Sequence, residues 1–226
     1  MAVVQVHSGS WVLRDYADVS HPQTPCVFTR AYVLQVADAR HVVVAVGANL
    51  FAGVDLPEVA YHWFQLPDQV PSFVGVASSL DEVAWLSADL SAGVDRLHLT
   101  TAAGDRVVGV PLPNPHGGRC GSPEDSKPVG YTRSGKLLAV LDQPVPSLNS
   151  LLVVEGDQTL FRLVPNGTWP PGNYPAFALL SPTTEALYYR QGDNVFRWTR
   201  GQGGVTFLSG VVWSYPSISP DGRHLA

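Results

Sequence analysis

Charge is scarce in this chain. Asp, Glu, Lys and Arg make up 15% of its 226 residues, against roughly 25% in an average domain. Long solvated helices and coiled coils depend on charged faces, so both are disfavoured. Basic residues are fewest: 14 Lys and Arg against 19 Asp and Glu leave a formal net charge of −5. A nucleic-acid backbone asks for a cationic footprint, and the composition offers none. Cysteine is nearly absent. Cys26 and Cys120 share no CxxC spacing and cannot build a Cys-based zinc site. A bridge between them would close a loop of about 94 residues and stabilise by roughly 4–5 kcal/mol; whether they pair is left open. No run of 18 apolar residues exists, which excludes a helical membrane span. The first ten residues lack the basic region and long apolar stretch of a signal peptide. The expectation is a cytoplasmic protein if Met1 is the native start, and a periplasmic or extracellular one if an upstream signal is missing.

What is abundant points one way. Apolar residues are 45% of the chain, with 6 Trp, 8 Tyr and 8 Phe, enough for a sizeable core and too many for wholesale disorder. The 21 Gly and 19 Pro make it rich in turns. This length suits a single all-β domain over 1–226.

The C-terminal run Tyr215-Pro-Ser-Ile-Ser-Pro-Asp-Gly-Arg-His-Leu-Ala226 reads as a short strand, an Asp-Gly turn and an apolar strand. The same shape recurs at 38–46, 78–86, 131–141 and 181–189. Taking Asp38, Leu80, Ser134, Thr183 and Asp221 as equivalent, the residue two places on is charged in every copy: Arg40, Glu82, Lys136, Glu185 and Arg223. A second piece follows most copies. Residues 59–66, 95–101, 150–155 and 194–200 read as third strands, and 106–112, 159–164 and 205–208 as fourth strands after tight turns. A four-stranded antiparallel unit repeated every 38 to 54 residues is the pattern of propeller blades. The second strands His-Val-Val-Val-Ala-Val (41–46) and Leu-Leu-Ala-Val-Leu (137–141) are continuously apolar, as strands covered on both faces should be. Residues 78–86 and 55–61 also admit a helical reading through capping-box patterns, against which the repeat argues. The N-terminal pieces Ala2-Val-Val-Gln-Val6 and Trp11-Val-Leu-Arg14 look like a hairpin without its two preceding strands, and the last copy stops in mid-strand. Truncation of a longer propeller and a closed five-blade ring completed by the N-terminal hairpin are both consistent with this.

On these residues the chain resembles the TolB-type, WD40-like β-propellers. The match is close over 216–226, moderate over 131–141, and weak at the other copies, where the Asp-Gly is lost. The resemblance implies an all-β propeller with about four to five blades represented and the last incomplete. Propellers of this kind serve as protein-binding scaffolds, as periplasmic proteins and as gating domains of serine oligopeptidases. The reading that follows is a non-enzymatic binding scaffold. The alternative is an accessory propeller of a larger enzyme whose catalytic domain is absent here.

Apparent catalytic motifs fail on chemistry. Gly130-Tyr-Thr-Arg-Ser-Gly135-Lys136 fits GxxxxGK, but Leu137 stands where a phosphate loop needs Ser or Thr, and a strand pattern follows instead of a helix. No GxSxG elbow exists. His116, Ser122 and Asp125 share one Gly/Pro-rich loop, which offers no rigid placement for a triad. The seven histidines form no HxH or HExxH pair. His41 and His224 share a repeat position, and His62 and His98 read as matched, outward-facing residues on third strands. Asn166-Gly-Thr168 is a glycosylation acceptor only in a secretory context. Trp11, Trp63, Trp85, Trp198 and Trp213 lie on or near strands and read as core. Trp169 lies on a loop and is the one candidate binding residue. No cofactor or metal is expected, and the expected partner is a protein or small ligand at one face of the propeller.

Overall fold

A computed structural model describes residues 3–7, 10–15, 32–36, 41–45, 50–55, 60–66, 72–77, 79–115, 129–144, 146–181, 183–210, 217–219, 222 and 224–225. The chain opens with a hairpin of β1 (Val3–His7) and β2 (Ser10–Asp15), which pair only with each other among the described strands. Four meanders follow, each of four antiparallel strands in chain order. Sheet I holds β3 (Tyr32–Val36), β4 (His41–Ala45), β5 (Leu50–Asp55) and β6 (Ala60–Gln65). Sheet II holds β7 (Ser72–Val76), β8 (Glu82–Asp89), β9 (Val94–Thr101) and β10 (Gly104–Pro113). Sheet III holds β11 (Gly130–Tyr131), β12 (Leu137–Asp142), β13 (Ser150–Glu155) and β14 (Gln158–Leu163). Sheet IV holds β15 (Pro175–Leu180), β16 (Leu187–Gln191), β17 (Asn194–Thr199) and β18 (Gly203–Ser209). A bridge between Ile218 and Leu225 begins a fifth unit.

The sheets stack face to face, and sheet III shows why its sequence is apolar at consecutive positions. All six residues of β12 are buried. Leu138 and Val140, with Leu152 and Val154 of β13, pack on Ala84, Leu86, Leu97, Leu99, Val108 and Leu112 of sheet II. Leu137, Ala139 and Leu141, with Leu151 and Val153, pack on Leu180, Leu187, Tyr189 and Trp198 of sheet IV. Successive side chains of a strand point to opposite faces, so a strand buried on both sides must be apolar throughout. Sheets I and II meet through Val43, Leu66, Val76, Leu80, Val83 and Trp85. Burial falls off at the fourth strands: β14 is only partly covered and every residue of β18 is exposed. Four-stranded sheets stacked as consecutive wedges, with covered inner strands and open outer ones, make a β-propeller. The strand reading of 78–86 holds, since Glu82–Asp89 is β8 rather than a helix; residues 56–59 lie outside the described ones.

The repeated turn between first and second strands has one hydrogen-bond pattern. The backbone N–H groups of Ala77, Thr132, Ser181 and Ser219 donate to the carbonyls of Glu82, Leu137, Ala186 and His224 at 2.8–2.9 Å. Leu80, Gly135 and Gly222 donate back to Ala77, Thr132 and Ser219, and all three have positive φ: 57°, 68° and 71°. This register corrects the sequence alignment by one residue in one copy. Leu80 is equivalent to Gly135, not to Ser134, so Asp81 rather than Glu82 occupies the recurring charged position. In the copy at 181–186 the hydroxyl of Ser181 accepts from Thr184 N–H at 3.1 Å, and the positive φ moves on to Glu185, at 55°. The copy at 38–40 lies outside the described residues.

A second correction concerns sheet I. Within the segment 59–66, Ala60–Gln65 is the fourth strand, β6, not the third; the third is Leu50–Asp55, which sequence reasoning passed over. His62 and His98 therefore sit on different strands of their sheets.

Candidate functional site

The face of sheet II that looks toward sheet I carries a group of polar side chains around Trp85. Period-2 alternation puts Trp85, Ser87 and Asp89 of β8 on this face, while Ala84 and Leu86 enter the core against sheet III. Ladder register sets His98 of β9 opposite Trp85, and Arg96 opposite Ser87. On β10, Asp105 stands opposite Thr100 and Val107 opposite His98. The tight turn at 102–103 brings β10 back at the register that aligns Asp105.

These side chains form one connected chain of hydrogen bonds. Trp85 Nε1 donates to Thr100 Oγ1 at 2.9 Å. Thr100 donates to Asp105 Oδ1 at 2.6 Å. His98 Nδ1 lies 2.7 Å from Asp105 Oδ2, and its Nε2 lies 2.8 Å from Ser87 Oγ. The imidazole stacks on the Trp85 indole with ring centroids 4.2 Å apart and planes 22° from parallel.

The directions follow from donor chemistry. An indole N–H only donates, so Thr100 Oγ1 accepts there and spends its own proton on Asp105. The ionised Asp105 carboxylate only accepts, so Nδ1 of His98 carries the proton. In the neutral ring Nε2 is then bare, and the bond to Ser87 runs from the serine hydroxyl to the imidazole. The order Ser87 to His98 to Asp105 is that of a nucleophile, base and orienting carboxylate. The side chain of His98 is 13% exposed and that of Asp105 32%, so the cluster is sheltered yet reachable from solvent. Beside it, Arg96 donates through Nε and Nη2 to Asp89 Oδ2 at 3.2 and 3.0 Å. The hydroxyl of Ser91, then Arg96 and the N–H of Ala92, hold the Asp89 carboxyl below its ordinary range.

A second set of polar contacts ties neighbouring sheets at the end with the repeated turns. Glu82 accepts from Arg106 at 3.0 Å and from the Tyr131 hydroxyl of sheet III at 2.9 Å. Arg106 Nε also faces Asp157 of sheet III at 3.2 Å. Between sheets III and IV, Arg200 holds both oxygens of Glu155 at 2.9 and 3.0 Å and approaches Glu185 at 3.7 Å. Burial, with the Glu82 carboxylate beside it, pushes the Tyr131 phenol well above its ordinary range.

The residues singled out in the sequence fall in different places. Trp169 sits between β14 and β15, half-buried. Its backbone N–H donates to Ser147 O at 2.8 Å and its indole N–H to Asn149 O at 2.7 Å, both at the 3-10 turn Pro146–Leu148. Asn149 is itself anchored, its Nδ2 donating to Pro175 O at 2.9 Å. His62 is exposed, whereas His98, expected to point outward, is held between Trp85, Ser87 and Asp105. His41 lies 3.7 Å from Asp55. The GxxxxGK segment runs from β11 through a turn into strand β12, with no helix to face a phosphate. Cys26, Cys120, His116, Ser122 and Asp125 lie outside the described residues. No helix among the described residues is long and apolar enough to cross a membrane. No group of three or more His, Cys, Asp or Glu among them is placed to hold a metal ion.

No family model matches the sequence, and no curated protein does. Several solved structures are similar to it in part. The β-propeller domain of the Trilobed protease from Pyrococcus furiosus is similar with a TM-score of 0.47 at 8% identity, over 80% of this chain and 58% of that one. The acylaminoacyl peptidase of Pyrococcus horikoshii is similar at 0.44 and 8% identity, over 80% and 33%. The β-propeller domain of Cps50 (Swd1) from Myceliophteria thermophila is similar at 0.43 and 14% identity, over 76% and 56%. The chain thus spans less than two thirds of each of these relatives. At these identities the likeness concerns fold alone.

Proposed function

We propose that this chain is a binding propeller of the TolB type, a single domain over 1–226, which engages a protein partner through the loop end that carries Trp169. One observation supports the reading above others. The Trp169 ring is half-exposed while both of its N–H groups are tied to a neighbouring loop at 2.7–2.8 Å. An aromatic already held in place loses little entropy when a partner covers it, and such rings anchor interfaces. The test is capture of partners from the source organism by wild-type protein and by Trp169→Ala, with Trp63→Ala as a surface control, since Trp63 is 51% exposed and not in the core as its strand position suggested. The reading expects a defined protein retained by wild type and the control but lost with Trp169→Ala. Identical capture by all three contradicts it. A role as accessory domain of a larger enzyme, such as a serine oligopeptidase, is separated by the coding sequence downstream of residue 226. A GxSxG elbow there in an α/β pattern would favour that role.

A further inference from the structure

We propose that Ser87 is a nucleophilic serine, activated by His98 and Asp105, that accepts acyl groups from small carboxylic esters at the face of sheet II that carries Trp85 and His98. This goes beyond partner binding and concerns a different part of the molecule from Trp169. Three observations carry it. The hydroxyl donates to an imidazole nitrogen whose lone pair is fixed by the Trp85–Thr100–Asp105 chain, at 2.8 Å. The base is locked in orientation by stacking on Trp85 and by a 2.7 Å bond to a carboxylate whose second oxygen is also held. Val107, 53% exposed and directly opposite His98, offers apolar surface for the acyl or alcohol part of an ester.

The reaction balances without any further reagent than water. Ser87 Oγ bonds to the ester carbonyl carbon while its proton passes to His98 Nε2, and Asp105 stabilises the imidazolium. The carbonyl oxygen becomes the oxyanion of a tetrahedral intermediate. The ester C–O bond then breaks, and the alcohol leaves with the proton from Nε2. Water, deprotonated by the same nitrogen, attacks the acyl-serine, releases the carboxylic acid and restores the Ser87 hydroxyl.

The test uses an alkyl fluorophosphonate, which labels activated serines, and p-nitrophenyl acetate as the ester. Intact and peptide mass spectrometry should find one phosphonyl group on Ser87 of the folded wild-type protein and none after unfolding in urea. His98→Gln should slow labelling and p-nitrophenol release by about 100-fold or more. Asp105→Asn should slow both, and Asp105→Glu should restore part of the loss at equal thermal stability, a rescue that a purely structural carboxylate would not produce. Absence of an adduct on Ser87 in folded wild-type protein overturns the proposal. So does an adduct formed equally fast by the unfolded chain, and this comparison stands even if a variant fails to fold. Neither result bears on Trp169.

Discussion

Leu137 and Leu138 are adjacent in the chain and fully buried in different cores, Leu137 against sheet IV and Leu138 against sheet II. A sheet with one wet face could not bury both. Alternate residues of β12 and β13 enter different interlayers, so the inner strands of sheet III serve two cores.

Truncating either residue should therefore cost about the same. Leu137→Ala and Leu138→Ala should each destabilise by about 2–5 kcal/mol, the usual loss for a buried leucine. Leu208→Ala, on the exposed strand β18, should change stability by about 0.5 kcal/mol or less. Urea unfolding of the three variants checks this. A large cost at only one of the two adjacent leucines would contradict double coverage.

The repeated turn demands a left-handed residue, and two copies meet that demand differently. Gly135 sits at φ 68° and Glu185 at φ 55°. Gly135→Val should destabilise by about 1–2 kcal/mol, because the new Cβ meets the following carbonyl. Glu185→Gly should be neutral or stabilising by up to about 1 kcal/mol, since it relieves the same strain at an exposed site. The contact with Arg200, at 3.7 Å, is an exposed pair of small value. Thermal and denaturant melts of both variants give the comparison; equal destabilisation would refute the turn equivalence.

Alkaline stability should track two buried phenols. Burial pushes Tyr189 up to about 12, and Tyr131 is raised further by burial and Glu82. A raised folded-state value means that the unfolded chain ionises first. The associated stability is therefore present in full below the ordinary tyrosine value of about 10 and is lost as pH climbs above it. Tyr189→Phe and Tyr131→Phe should each flatten the fall in unfolding free energy above pH ~10. Fluorescence-detected urea titrations across that range measure the slope, and an unchanged slope in both variants would contradict the assignment.

The blades were legible where one strand declares itself twice over, as at 137–141, where leucine and valine fill consecutive positions. Sheet I is less legible because its third strand carries Gly53, a residue type depleted in strands. The structure gives that glycine another reason: a Cβ there would stand 3.0 Å from Leu80 and 3.3 Å from Phe64. Tight packing against Leu80 of the next sheet and Phe64 of its own favours a residue without a side chain there. The Leu80 copy slipped for a related reason. Its left-handed position is filled by a buried leucine, 2% exposed, whose packing outweighs the backbone preference that would have placed a glycine there. The Ser87–His98–Asp105 cluster was hidden because its members lie on three strands, and strand register is not written in any single segment. The available signal was the alternation Trp85, Ser87 and His98, Thr100, combined with the turn at 102–103 that sets Asp105 opposite Thr100. The loop position of Trp169 is legible, but its tether to Ser147 and Asn149 depends on a turn in a separate loop.

Blade stacking is tested most directly by joining two turns that are far apart in sequence. A Cβ on Gly135 would lie 3.9 Å from the Cβ of Ala77, inside the range of about 3.5–4.5 Å that a disulfide spans. The double variant Ala77→Cys, Gly135→Cys, oxidised under native conditions and mapped by peptide mass spectrometry, should yield an intramolecular 77–135 bridge. Two thiols that stay unlinked in folded protein, each open to alkylation, would contradict wedges packed side by side around a common axis.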